Sequence, residues 1–197
     1  ESVETTHIST WDQWGNVVSA TTTLNFSFGS GIAVSGAGFL LNNEMDDFSA
    51  KPGSPNGYGL IGGVANEIQP GKRPLSAMTP TIVFDEKGAP ILATGSPGGS
   101  TIITAVLQVL LNILEFNMGI ADATAASRVH HQWLPDRIGH EPGISPDTLH
   151  LLSLMGHSLD KEPRILGSTQ TVHRAPNGTT MGASDTRRDG AGAVPQK

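Results

Sequence analysis

Between residues 6 and 24 apolar and polar positions alternate with period two. The stretches 6–10 and 17–24, rich in Thr, Val and Ile, therefore predict two half-buried strands, with Asp12-Gln13-Trp14-Gly15-Asn16 turning a hairpin between them. After a glycine-rich link, Phe39-Leu40-Leu41 reads as a short buried strand running into the polar cluster Asn42-Asn43-Glu44-Met45-Asp46-Asp47. Residues 51–63 carry two prolines and five glycines and predict a loop. A second hairpin, residues 81–84 and 90–94, crosses Asp85-Glu86-Lys87-Gly88. The period then changes. Over 101–118 apolar residues cover most of a helical circumference, which predicts a helix buried on more than one side. Ser145 caps a second helix with Pro146 at its first position and Leu149, Leu151, Leu152, Leu154 and Met155 inside. Asn177-Gly178 turns a last hairpin, and the tail 190–197 reads as frayed.

Strands, then helices, then strands, with both helices needing a sheet to cover, point to a layered α+β architecture rather than βαβ units. At 197 residues the chain can bury one sizeable core, and 24 Gly and 13 Pro make its turns many and tight. The net charge of −6 and scattered basic residues disfavour nucleic acid as a partner. Zero cysteines exclude disulfides and thiol catalysis. Seven His in no HxxxH or HExxH spacing give no support to a metal site. No run of eighteen apolar residues predicts a membrane span, and no signal peptide is legible, which leaves the compartment open.

Several stretches carry candidate chemistry. A threonine hydroxyl is a weak nucleophile unless a base adjoins it, and its own α-amine can serve as that base. Thr5, in Thr5-Thr6-His7, could act so only as the first residue of a processed chain, and Glu1-Ser2-Val3-Glu4 stands before it. The acidic group 44–47 is either a solvated strand end or, with the amides of Asn42 and Asn43, a set suited to an ammonium. Gly95-Ser96-Pro97-Gly98-Gly99-Ser100, leading into the apolar helix, is either a packing turn or a ring of N–H groups that holds an oxyanion. It lacks the spacing and lysine of a phosphate loop. Lys72-Arg73-Pro74-Leu75-Ser76 offers a hydroxyl after two cations, or only an ordinary loop.

In this order, Thr5-Thr6-His7, Thr23-Leu24-Asn25, 41–48, 72–76, 95–100, Arg128-Val129-His130-His131-Gln132-Trp133-Leu134 and Gly182-Ala183-Ser184-Asp185 resemble the small subunit of the γ-glutamyltransferases (γ-glutamyltranspeptidases) of bacterial type. The resemblance covers nearly the whole chain. It implies an N-terminal-nucleophile hydrolase fold, a four-layer αββα sandwich. Residues 1–4 would be a pre-cleavage stub and 5–197 the catalytic subunit, completed by a large subunit of the same precursor. It implies self-cleavage between Glu4 and Thr5, with Thr5 then attacking the γ-glutamyl amide of glutathione or a related compound. The acyl group passes to water or to an amino-acid or peptide acceptor, with no cofactor and no metal.

By the same resemblance Thr23 hydrogen-bonds the nucleophile and Gly98 and Gly99 form the oxyanion hole. Asn25, Glu44 and Asp47 grip the substrate's α-amino and α-carboxylate ends, Glu44 and Asp47 facing the ammonium. Ser76 is a carboxylate-binding hydroxyl, and Tyr58 closes a lid formed by 51–63. Many members carry two serines where this chain has Ser76-Ala77, so one carboxylate donor is missing. A carboxylate-binding arginine comes from the large subunit, and the location implied is periplasmic or extracellular. Two rivals remain: a cephalosporin (glutaryl) acylase on the same scaffold, which retained Asp47 argues against, and an unprocessed, non-catalytic homologue.

Overall fold

β1 (Thr6–Trp11) and β2 (Val17–Thr22) form the first hairpin. Asp12 makes its turn: the carboxylate accepts the Trp14 and Asn16 amides at 2.9 and 2.8 Å, while Gly15 takes the left-handed conformation at φ 91°. β3 (Thr81–Phe84) and β4 (Pro90–Gly95) repeat the device, with Asp85 accepting the Lys87 and Ala89 amides. β4 continues the ladder to β7 (Gln170–Arg174), and β7 pairs with β8 (Thr180–Ser184) across the Asn177-Gly178 turn. The result is an antiparallel four-stranded sheet, β3-β4-β7-β8. The computed structural model describes residues 5–188 and 192–194, so the stub at 1–4 and all of the tail 190–197 except 192–194 lie outside the described residues.

Strand alternation sends β4 residues to two faces. Leu92 points to α1 (Ile102–Leu114) and α2 (Ile120–Ala125), packing with Val109, Ile113, Ile120 and Ala123. Burying a side chain such as Val109 completely contributes about 1.5–3 kcal/mol. Gly95 lies on the other face, under the β1–β2 hairpin, where a Cβ would overlap the His7 ring. The described chain thus stacks a helical layer, the four-stranded sheet and the hairpin, three layers in αββ order.

Five expectations need correction. Thr23 and Leu24 leave the second strand because the Thr23 hydroxyl bonds outside the ladder, as set out below. Phe39-Leu40-Leu41 is no buried strand: it makes one isolated bridge, Leu40 to Ala33, and Phe39 and Leu41 are exposed. The long helix spans Ile102–Leu114 rather than 101–118 and is buried along one stripe only, Ile102, Ala105, Val106, Val109 and Ile113. Ile103, Leu107, Leu111 and Leu114 are exposed, since one sheet can cover one stripe. α3 (Pro146–Leu154) has its Ser145 cap, whose Oγ accepts the Thr148 amide at 3.2 Å, but buries none of its residues and covers no sheet. Finally α2, with no long periodic run to announce it, was not foreseen, nor were the short strands β5 (Val129–His130) and β6 (Gly139–His140). Among the described residues no helix is long and apolar enough to cross a membrane.

Candidate active site

In the β1–β2 register Thr6 faces Thr22, so Thr5 and Thr23 are the next pair out. Thr5 is buried, 4% exposed, and its Oγ1 donates to Thr23 Oγ1 at 2.9 Å. Thr23 Oγ1 also accepts the Asn25 amide at 2.9 Å. Asn25 sits at φ 73°, a left-handed turn that Asn tolerates better than most residues, and this turn peels the chain off the strand. Its Nδ2 donates to Asn43 O at 3.2 Å, and its carbonyl accepts the Tyr58 hydroxyl at 2.9 Å. Arg188 Nη1 donates to the Thr5 carbonyl at 2.8 Å.

Glu44–Asp47 is one turn of 3₁₀-helix. Side chains three apart eclipse in that geometry, so Glu44 and Asp47 are forced together at the pocket wall. Burial first, then the Asp47 hydrogen bond and charge, pushes the Glu44 carboxyl up to about 7. Asp47 is raised too, by burial and by Asp46, against the lowering effect of its Glu44 hydrogen bond. Two adjacent carboxylates resist ionising together. Asp46 serves the loop instead: its carboxylate accepts the Gly57 amide at 3.1 Å.

The amides of Asn42 and Asn43, expected beside the ammonium, are framework. Asn42 Oδ1 accepts the Glu44 amide and Asn43 Oδ1 the Phe26 amide, each at 3.0 Å, and neither residue lines the pocket. Asn66, unnoticed in the sequence, is a strap. Its Nδ2 donates to Asp47 O at 2.7 Å and its Oδ1 accepts the Leu75 amide at 3.0 Å, tying the acidic turn to the stretch that carries Ser76. A lone Asn in an unpatterned loop carries no signal for such a role.

β4 ends at Gly95 and the chain turns through Gly98 (φ 135°) and Gly99 (φ 55°) into the one-turn helix Gly99–Thr101 that opens α1. Thr101 donates to Gly98 O through its amide (3.1 Å) and its hydroxyl (2.8 Å). Both glycines are needed for space as well as φ. A Cβ on Gly98 would stand 2.7 Å from Thr101 Oγ1, and one on Gly99 would stand 2.9 Å from the Tyr58 ring. Tyr58 lies over Gly99 and meets Phe26 edge-on, centroids 5.6 Å apart.

Thr5, Thr23, Asn25, Glu44, Asp47, Tyr58, Ser76 and Gly99 all line one pocket of about 30 Å³, with Ala77 beside Ser76. Gly98 stands one residue behind the wall. Five separated stretches of chain thus converge on Thr5. The γ-glutamyltranspeptidase family model matches residues 1–194. The chain belongs to that family.

Its relatives define the fold. The glutathione hydrolase proenzyme of Escherichia coli is 54% identical over 187 residues, which are 95% of this chain and 32% of that protein. The chain therefore spans about a third of the length of this relative and of the glutathione hydrolase proenzyme of Pseudomonas aeruginosa. Pseudomonas nitroreducens γ-glutamyltranspeptidase, solved in complex with L-DON, superposes with a TM-score of 0.88 at 45% identity, covering 97% of this chain and 100% of that one. A cephalosporin acylase from Bacillus halodurans superposes at 0.80 with 26% identity, over 97% of this chain and 34% of its own. The fold is that of the N-terminal-nucleophile hydrolases.

Proposed function

We propose that this chain is the catalytic part of an enzyme that transfers or hydrolyses γ-glutamyl groups, glutathione among them. The observation that carries it is the Thr5–Thr23 hydroxyl pair opening onto the same pocket as the Glu44–Asp47 carboxyls and the Gly98–Gly99 turn. Cleavage of the Glu4–Thr5 bond frees the Thr5 α-amine. That amine takes the proton from Oγ1 as the oxygen attacks the substrate's γ-carbonyl carbon, Thr23 holding the hydroxyl in line. The oxyanion meets the backbone N–H groups of Gly98 and Gly99 at the start of α1. The C–N bond breaks, the amine returns the proton to the leaving nitrogen, and an ester to Thr5 remains. Water or an acceptor amine then attacks that ester by the same steps in reverse.

Glu44 and Asp47 hold the substrate ammonium, and Asn25 and Ser76 its carboxylate end. Tyr58 forms the lid of this pocket of about 30 Å³, and Thr5 also borders a larger cavity of about 1060 Å³ along the β1–β2 hairpin. The remaining two thirds of the precursor act as the large subunit, cover the open stripe of α1 and supply the fourth layer. A periplasmic or extracellular location rests on the resemblance alone. A glutaryl acylase shares the scaffold, but a glutaryl chain has no ammonium to satisfy a paired carboxylate.

The test uses full-length precursor. Intact mass reports whether a chain begins at Thr5, and turnover of γ-glutamyl-p-nitroanilide is compared with a glutaryl p-nitroanilide. We expect cleavage, preference for the γ-glutamyl substrate, and loss of both processing and turnover in Thr5→Ala, with partial retention in Thr5→Ser. Equal turnover of the two substrates would favour the acylase. An uncut, inactive wild type would favour the non-catalytic homologue.

A further inference from the structure

The imidazole of His7 lies between the strand that carries Thr5 and the strand that ends in the oxyanion turn. It is buried, 4% exposed, and faces Gly95 so closely that no larger residue fits there. Its hydrogen bonds identify its tautomer. Ser9 Oγ donates to Gln170 O on β7 and Ser19 Oγ to Thr94 O on β4, each at 2.9 Å, so both hydroxyls have spent their protons. Toward His7 they can only accept, which places a proton on Nε2, 3.0 Å from Ser9 Oγ and 3.5 Å from Ser19 Oγ. Nδ1 then accepts from Thr21 Oγ1 at 2.8 Å. Burial holds the ring neutral, with its pKa lowered to about 4.

One ring therefore ties β1, β2, β4 and β7 together. From it the chain runs two residues to Thr5, from Thr21 two residues to Thr23, and from Gly95 three residues to Gly98. We propose that His7 is a positioning residue of the active site: its neutral imidazole, wedged against Gly95, sets the spacing between the Thr5–Thr23 pair and the Gly98–Gly99 turn. This rests on the roles given to Thr5 and the glycine pair above. His7 does not line the pocket of Glu44, Asp47 and Ser76, and it borders, with Thr5, only the separate cavity along the β1–β2 hairpin. Its effect belongs to the chemical step and not to binding, because Glu44, Asp47 and Ser76 are anchored by Asn66 and the 3₁₀ turn.

The experiment measures Gly95→Ala, His7→Ser, the double variant and His7→Gln in full-length precursor. Rates are counted per Thr5 titrated by the p-nitroaniline burst, so that misfolded chains drop out. Each single change should lower kcat by about 100-fold, the loss that follows a displacement of ~1 Å, while KM stays near wild type. In the double variant the alanine methyl occupies space vacated by the ring. Its kcat should recover about tenfold over the worse single variant, a non-additivity expected of neighbours in contact. His7→Gln keeps an N–H for Ser9 and should lose less, with melting temperature held.

Strictly additive losses, an unchanged kcat, or a kcat that falls only together with KM would overturn the proposal. If the serine and alanine variants give no burst, His7→Gln decides: a lowered kcat at unchanged KM and melting temperature supports it, and a wild-type kcat ends it. Full turnover in Thr5→Ala would instead sink the assignment of Thr5.

Discussion

At the scale of single residues, the site is a set of groups whose ordinary properties have been altered by what touches them. Glu44 is the clearest. Its carboxyl is raised from 4.5 to about 7, so the folded, substrate-free pocket holds a proton that the unfolded chain would release. The sign follows directly. A group whose folded pKa is raised contributes stability at low pH that is lost as pH climbs from 4.5 through about 7. Glu44→Gln should flatten that part of the stability profile, read from chemical denaturation at several pH values. The same proton must leave for the pair to hold an ammonium. The KM for a γ-glutamyl substrate should therefore rise as pH falls below about 7, while a glutaryl analogue shows no such rise. Parallel profiles for both substrates would separate Glu44 from ammonium binding.

At the scale of elements, the acidic turn is too short to hold itself. One turn of 3₁₀-helix has poor hydrogen-bond geometry, and Glu44–Asp47 buries none of its residues. Its position comes from Asn42, which accepts the Glu44 amide, and from Asn66, which links Asp47 O to Leu75 N. Asn66→Ala removes both links at a cost of about 0.5–1.5 kcal/mol per hydrogen bond. The loss should appear as a higher KM for γ-glutamyl substrates with kcat little changed, because Thr5 and Gly98 are held by other elements. A fall in kcat at constant KM would show that the strap reaches the nucleophile instead.

At the scale of the molecule, a buried ionic cluster locks the ends of distant elements together. Arg128 donates to Asp185 at 2.7 Å and to Leu166 O, Thr124 O and Thr169 Oγ1, while Arg187 pairs with Glu141 and Asp185. Glu141 in turn accepts the Arg128 and Leu166 amides. Arg128→Met should cost about 3–5 kcal/mol in unfolding of the full precursor, since it strips one partner from a buried pair. Arg128→Lys should not rescue it, because an ammonium cannot match the planar fork that serves four acceptors. The open stripe of α1 supplies a second expectation at this scale. Leu107→Glu with Leu111→Glu should leave this chain folded and weaken its association with the rest of the precursor, measured by co-elution on size exclusion. Unaltered co-elution would mean the stripe faces solvent in the whole protein.

What the sequence determined by itself is whatever local rules express. Three hairpins followed from strand-like runs closed by an Asp with Gly three residues on or by Asn177-Gly178, and the Ser145-Pro146 helix start followed from capping chemistry. The candidate site was legible only through the family resemblance, which named Thr5, Thr23, Asn25, Glu44, Asp47, Tyr58, Ser76 and Gly99, and these eight line one pocket. Tertiary structure alone decided the rest. Phe39-Leu40-Leu41 is apolar, yet it lies exposed because no neighbouring strand pairs with it beyond one bridge. The α1 helix is apolar nearly all round, and only the placement of the sheet selects which stripe is covered. Asn66, Arg128 and His7 make their decisive contacts with residues far away in sequence or on another strand. A hydrogen bond of that kind leaves no periodicity to read, because its geometry exists only after the strands have packed.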